Sequence, residues 1–423
     1  MKILLISVNQ ERFPHPVFPI GAYIIAKSIM MQHEVDFVDL NLLTTEEALQ
    51  RIRAVQPDII GISMRNLDNV VYLNYKSFIP ELKVLVSQIK KDGYQGKIIL
   101  GGAGFSIMPK EILDITEADY GIIGPGEKSF PQLLEKLQNH EDPPQLIIND
   151  AEDLYENPFT ISQQLIELNA KFNFEWYKQF HGSIGITTKR GCNYNCIYCT
   201  YPIIEGRTCH LRKPEDVVNE MEFYLKTMGI NYFLFTDSVF NDPVEHSRSI
   251  AQEIKRRELP VSWTGSFDLD NLTREDILLF KDTGCEGVDL GMDSGSNEVL
   301  KRYGKSCDTK AIYKATEECK LQDMPVYFNI ILGGPGETEE TLNETFSLLE
   351  KTEPESTGIV IGMRIYPKTP LYYLAIKEGV INIDTDLTEP HFYIAPEVKD
   401  CIVEIVKAES VKHPSWIIPG INF

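Results

Sequence analysis

The sequence predicts two parallel-sheet α/β units in series. A doubly wound domain spans residues 1–140, a linker 141–182, a (βα)6 partial TIM-type barrel 183–375 and a C-terminal cap 376–423. Three observations carry this. Short apolar runs alternate with stretches of helical spacing in two separate series. Those runs are continuously apolar, as strands of a parallel sheet covered on both faces must be. A polar, proline-bearing stretch separates the series.

In the first series, 2–8 reads as a buried strand, 21–31 has helical spacing and 34–40 is a strand. A charged helix at 45–54 leads to an apolar strand at 59–63, and a helix at 82–91 leads to a strand at 97–101. A short strand at 120–123 and a helix at 127–137 close a Rossmann/flavodoxin-like pattern. Glu141-Asp142-Pro143-Pro144 and the polar run 149–158 then read as linker. The second series has strands at 183–188, 232–236, 261–266, 287–291, 326–332 and 358–365. Helices at 214–228, 243–257, 274–283, 310–321 and 339–351 lie between them. Barrels of this kind carry their chemistry on loops at the strands' C-terminal ends. The last fifty or so residues lack clear periodicity; they are expected to cap the cavity or to pack on the barrel's outside.

Composition narrows the function. With 423 residues, 43% of them hydrophobic, the chain has material for two or three cores. Its net charge of −21 repels phosphate backbones and anionic lipid, so neither nucleic acid nor a membrane surface is an expected partner. No apolar run reaches the roughly twenty residues of a membrane span. The apolar N-terminus turns polar at Asn9-Gln10-Glu11-Arg12, too early for a signal peptide, which predicts a cytoplasmic protein. Eight cysteines are too few for a disulfide scaffold, and three of them cluster, which points to metal chemistry in a reducing compartment.

That cluster follows the first strand of the second series: Cys192, Cys196 and Cys199, spaced C-x3-C-x2-C. Three thiolates on one loop can ligate three irons of a [4Fe–4S] cluster and leave the fourth open. Two other readings stay open on spacing alone: a structural zinc site completed by Cys209 or His210, and three unrelated buried thiols. Arg207 and Arg212, flanking Cys209-His210, are either contacts for an acidic substrate or solvated cations.

With aromatic Tyr198 just before Cys199, the loop resembles the C-x3-C-x-aromatic-C signature of the radical S-adenosylmethionine (SAM) superfamily. The resemblance extends over 183–375 and implies a SAM site built from Tyr198 and four further segments. Asp237 and Ser238 resemble the contact for the methionyl amino group, and Asp293 and Ser294 a segment near the ribose, where Asp293 replaces the usual glutamate. The segment with Gly333 resembles the turn beside the adenine, and that with Arg364 resembles the sixth-strand exit, which implies a pairing of Arg364 with the SAM carboxylate. Such proteins generate a 5′-deoxyadenosyl radical and draw electrons from a donor such as flavodoxin or ferredoxin.

The first domain resembles the cobalamin (B12)-binding type that precedes the barrel in one large subgroup. The match rests on small residues at strand ends. The implied cofactor-binding set is Asn9, Gly21, Ser63, Arg65, Asn66, Gly101, Gly102, Gly104, Gly126 and Glu127. The Asp-x-His-x-x-Gly motif of many cobalamin domains is absent, and the histidines before residue 140, His15 and His33, lack its context. The resemblance implies a cobalamin-dependent radical SAM methyltransferase acting at an unactivated carbon of a small molecule or peptide. The alternatives are a cobalamin-free radical SAM enzyme catalysing a rearrangement or cyclisation, and a non-catalytic zinc-bearing binding module.

Overall fold

The computed structural model describes residues 1–12, 15–148, 161–180 and 184–423. The polar run 149–158 and the first residue of the strand expected at 183–188 lie outside them. No helix among the described residues is long and apolar enough to cross a membrane.

The first domain is a six-stranded sheet of β1 (Lys2–Ser7), β2 (Glu34–Asp39), β3 (Ile59–Ser63), β4 (Lys97–Gly101), β5 (Tyr120–Ile123) and β6 (Leu146–Ile148). Its order is β2-β1-β3-β4-β5-β6 and every neighbouring pair is parallel. The order reverses at β1 and β3, so the crevice at their carboxyl ends is where a doubly wound sheet takes a ligand. Local signals set the helices. Thr44 and Glu47, for example, form a reciprocal capping box that starts helix Thr45–Val55.

The stretch read as a linker carries regular elements among its described residues. Leu146–Ile148 extends the sheet as β6, and helix Gln163–Lys171 leads to Phe172, whose ring stacks on Phe37 with centroids 3.9 Å apart. Tyr177 donates to Asp39 Oδ2 from the same segment, and Tyr23 donates to Asn169 Oδ1 at 2.6 Å. Burying this run of aromatic rings ties the segment to the first domain.

The second sheet contains β7 (Gly185–Ile186), β10 (Tyr232–Phe235), β11 (Ser262–Phe267), β12 (Cys285–Asp293), β13 (Val326–Leu332), β14 (Ser356–Ile361) and β17 (Trp416–Ile417). Two small antiparallel pairs stand beside it: β8 (Lys189–Arg190) with β9 (His210–Leu211), and β15 (Met363–Arg364) with β16 (Phe392–Tyr393). The large sheet runs β17-β14-β13-β12-β11-β10-β7, parallel throughout. Six of its strands are those the alternation predicts. The seventh comes from the segment expected to be only a cap: Trp416 pairs with Thr357 and Ile417 with Gly358. The strand expected at 358–365 breaks at Gly362, where φ is +77° and the chain leaves the sheet to pair with β16.

Ion pairs join the two domains. Glu220 accepts from Lys27 at 2.6 Å and from Arg212 at 2.9 Å. Burial opposes the charge of Glu220, but these two cations override it and hold the carboxyl down at about 2. Arg364 Nε donates to Asp68 Oδ2 at 2.8 Å, with both side chains almost wholly buried.

Candidate active site

The cysteine loop begins where β8 ends. Gly191 has φ of +95°, and a Cβ there would lie 2.0 Å from the Thr208 carbonyl oxygen, so only glycine allows this turn. The loop is anchored by Ile197 N–H, which donates to the Tyr303 carbonyl at 3.0 Å. Arg207 Nη1 adds a bond to Asn195 Oδ1 at 3.0 Å, so Arg207 braces the loop from its exposed side. Arg212, the other arginine near Cys209, is taken by Glu220 and the Thr187 carbonyl.

Cys192 is buried, and Cys196 and Cys199 are half-buried. Burial pushes the Cys199 thiol up to about 11 and raises that of Cys196. As free thiols neither is an ionised nucleophile at neutral pH; metal coordination is what ionises such groups. Among the described residues, the group of three His, Cys, Asp or Glu ligand atoms lying within 4.8 Å of one another is Glu350, Glu409 and His413. The three sulfurs are therefore not drawn around a single ion, as a tetrahedral zinc site requires.

Tyr198 clamps the loop to the barrel by donating to Asp293 Oδ2 at 2.5 Å. Lys305 Nζ lies 3.1 Å from the same oxygen and donates to the Gly291 carbonyl at 2.8 Å. Asp237 accepts from Thr188 N–H at 2.8 Å, Thr188 Oγ1 at 2.5 Å and Lys189 N–H at 3.1 Å. Burial pushes its carboxyl up against the pull of those bonds. Beside it, Ser238 Oγ is buried with no hydrogen-bond partner, an atom that a bound polar group would satisfy.

Other residues expected at SAM are otherwise engaged. Ser294 is fully buried, and its hydroxyl accepts from Ser296 N–H at 3.1 Å. Gly333 donates its N–H to Glu337 Oε2 at 3.2 Å. Arg364 requires a correction. Its guanidinium nitrogens are each bonded within the protein, to Asp68 and to the carbonyls of Ile365 and Leu387, so it braces the domain interface instead of facing a SAM carboxylate. Of the residues expected at SAM, Asp237 lines the large cavity and the other six do not.

That cavity, of about 450 Å³, lies between the domains and is lined from both. Eight of the ten residues expected at cobalamin meet there: Asn9, Gly21, Ser63, Arg65, Gly101, Gly102, Gly126 and Glu127. Asn66 and Gly104 do not; a Cβ on Gly104 would lie 2.9 Å from the Asn66 backbone, so the two pack on each other. The fit to a large, flat cofactor rests on two observations. Both side-chain polar atoms of Asn9, just beyond β1 at the switch point, are buried without partners. A Cβ on Gly21 or Gly101 would meet no protein atom closer than 3.9 Å, so these glycines leave open space at the wall. No histidine of the described residues lines the cavity, in keeping with the missing motif.

Sequence reasoning missed the bridge across this cavity. Arg190, two residues before Cys192, lies 3.0 Å from Glu127 of the first domain and 2.8 Å from Glu205 beyond the cysteines. Position beside the cysteine loop was the available signal; its partners, 63 and 15 residues away, gave none.

The model of the B12 binding domain matches residues 6–134, and that of the Radical SAM superfamily matches residues 186–349. The chain is a radical SAM protein with a B12-binding domain. It is 26% identical to tryptophan 2-C-methyltransferase of Streptomyces laurentii, over 74% of this chain and 64% of that protein's length. It is 24% identical to an uncharacterized methyltransferase of Pyrococcus horikoshii, over 90% of this chain and 84% of the relative. The radical SAM methyltransferase TsrM of Kitasatospora setae, solved with cobalamin and a [4Fe-4S] cluster bound, shares the fold. The TM-score is 0.84 at 22% identity, over 100% of this chain and 93% of that one.

Proposed function

We propose that this radical SAM protein is a cobalamin-dependent methyltransferase acting at an unactivated carbon of a small molecule or peptide. One observation supports the reading above all: the B12-type cradle and residues flanking the cysteine loop (Arg190, Tyr201 and Glu205) line one continuous cavity. A methyl donor held by the first domain and a radical source held by the second would share a space from which bulk water is excluded.

Cys192, Cys196 and Cys199 would hold the iron–sulfur cluster, with Asp237 and Ser238 toward the amino end of SAM. Asn9, Ser63 and Arg65 would face the corrinoid. When bound, the cluster with SAM supplies a hydrogen-abstracting carbon radical, and cobalamin supplies the methyl group. The chain's own residues position these parts. Tyr198, Asp293 and Lys305 fix the loop against β12. Arg190 spans Glu127 and Glu205, which holds the two domains in register across the cavity. The proposed electron source is an external donor such as flavodoxin or ferredoxin.

Anaerobic purification with cobalamin supplied, followed by incubation with SAM and a reductant, tests this reading. Corrin absorbance, deoxyadenosine and a methylated product are expected. A protein that forms deoxyadenosine yet retains no corrin would instead fit the cobalamin-free rearrangement that the missing histidine motif allows.

A further inference from the structure

The barrel interior carries a polar pair that no assignment above uses. β13 is flanked by β12 and β14, so the exposed face of its Asn329 looks into the hollow of the barrel. Asn329 Nδ2 donates to Asp289 Oδ1 of β12 at 2.5 Å. Gly358 is its register partner on β14, and a Cβ there would come within 3.2 Å of Asn329 Oδ1, so glycine leaves the amide its room. Asp289 pairs in register with Ser266 of β11, and both line the cavity that holds the B12-type cradle.

These groups present acceptors. With one Asn329 Nδ2 hydrogen committed to Asp289, the acceptors left over are Asp289 Oδ2, Asn329 Oδ1 and the Ser266 hydroxyl oxygen, which outnumber the remaining donors, the second Asn329 N–H and the Ser266 O–H. Asp289 has no ion-pair partner among the described residues, and burial pushes its carboxyl up to about 6, against the bond from Asn329. At neutral pH it remains mostly ionised. A carboxylate seated here would meet like charge. An apolar group would displace water from these acceptors and supply no donor in its place. A protonated amine supplies both the donors and the missing counter-charge.

We propose that Asp289 and Asn329 bind a basic nitrogen, so that the substrate of the reaction proposed above is a small organic amine. This names the substrate class of that reading and rests on it. The placement also gives a reason for the pair: fixing one nitrogen inside the barrel orients the rest of the molecule toward the cavity between the domains.

The test is equilibrium binding to the anaerobically purified holoenzyme, using phenethylamine, 3-phenylpropionate and 2-phenylethanol as probes of similar size. Phenethylamine is expected to bind at least tenfold more tightly than either of the others. Asp289→Asn should reduce that preference to threefold or less while the circular dichroism and corrin absorbance stay unchanged, and Asn329→Ala should weaken amine binding in the same direction. Equal or tighter binding of the propionate or the alcohol to wild type overturns the inference, and needs no variant to fold. So does an amine preference that survives Asp289→Asn. Because binding is read without turnover, an intact amine preference in a protein that transfers no methyl group would count against the proposed reaction and not against this site.

Discussion

At the scale of single residues, the three cysteines are legible because all the information is local: Cys192, Cys196 and Cys199, the ligands proposed for the cluster, fall within eight consecutive positions. Tyr198 shows what lies beyond that reach. Its hydroxyl meets a carboxylate 95 positions away. Tyr198→Phe removes a hydrogen bond to a buried carboxylate, leaving Asp293 Oδ2 to Lys305 alone, frees the loop, and is expected to cost about 1–3 kcal/mol. Thermal unfolding should record that loss, and iron content after gel filtration should fall below wild type. Asp289 gives a pH signature of a definite sign. Its folded-state pKa, raised from 3.8 to about 6, means that the native state holds its proton longer than the unfolded chain. Its contribution is therefore most favourable at low pH and is lost as pH rises from about 4 to about 6. Asp289→Asn removes this penalty, so the variant should gain on wild type across that window, by at most about 3 kcal/mol. Urea titrations at pH 4, 5, 6 and 7 would show it; a stability difference flat with pH would contradict the assignment.

At the scale of elements, alternation of apolar runs and helical spacing revealed most strands of both sheets because parallel strands buried on two faces are continuous in sequence. It failed where an element depends on a distant partner. The supposed linker looked polar from 149 to 158, yet Phe172, Phe174, Trp176 and Tyr177 a few residues later gave a readable sign of burial. Two-residue β17 has no periodicity at all, and only its place beside β14 makes it a strand. The loop after β3 behaves similarly. Asp68 looks like an ordinary turn residue, but it anchors the loop to Arg364 in the barrel, and Tyr72 packs edge-on against Phe392 nearby. Asp68→Asn leaves the Arg364 charge buried without its counter-ion and should cost about 3–5 kcal/mol. Replacing both partners, as Asp68→Leu with Arg364→Met, should recover a good part of that loss. Chemical denaturation of the three variants distinguishes a charge effect, which the double variant relieves, from simple loss of packing, which it does not.

At the scale of the molecule, neither domain encloses the site by itself. The first sheet presents β1, β3 and β4 ends with Asn9 and the glycines; the barrel presents Thr187, Asp237 and Asp289; Arg190 bridges the gap. Domain order in the sequence pointed to this pairing, but the cavity itself and the arginine bridge emerge only when the two units pack. The division of labour makes a direct prediction: iron belongs to the cysteine loop, corrin to the first domain. The most direct measurement is iron and corrin per chain, after anaerobic purification with cobalamin, for wild type and for a variant with Cys192, Cys196 and Cys199 all changed to serine. About four irons and bound corrin are expected for wild type, and corrin without iron for the triple variant. Iron retained by the triple variant, or corrin absent from both proteins, would contradict the account.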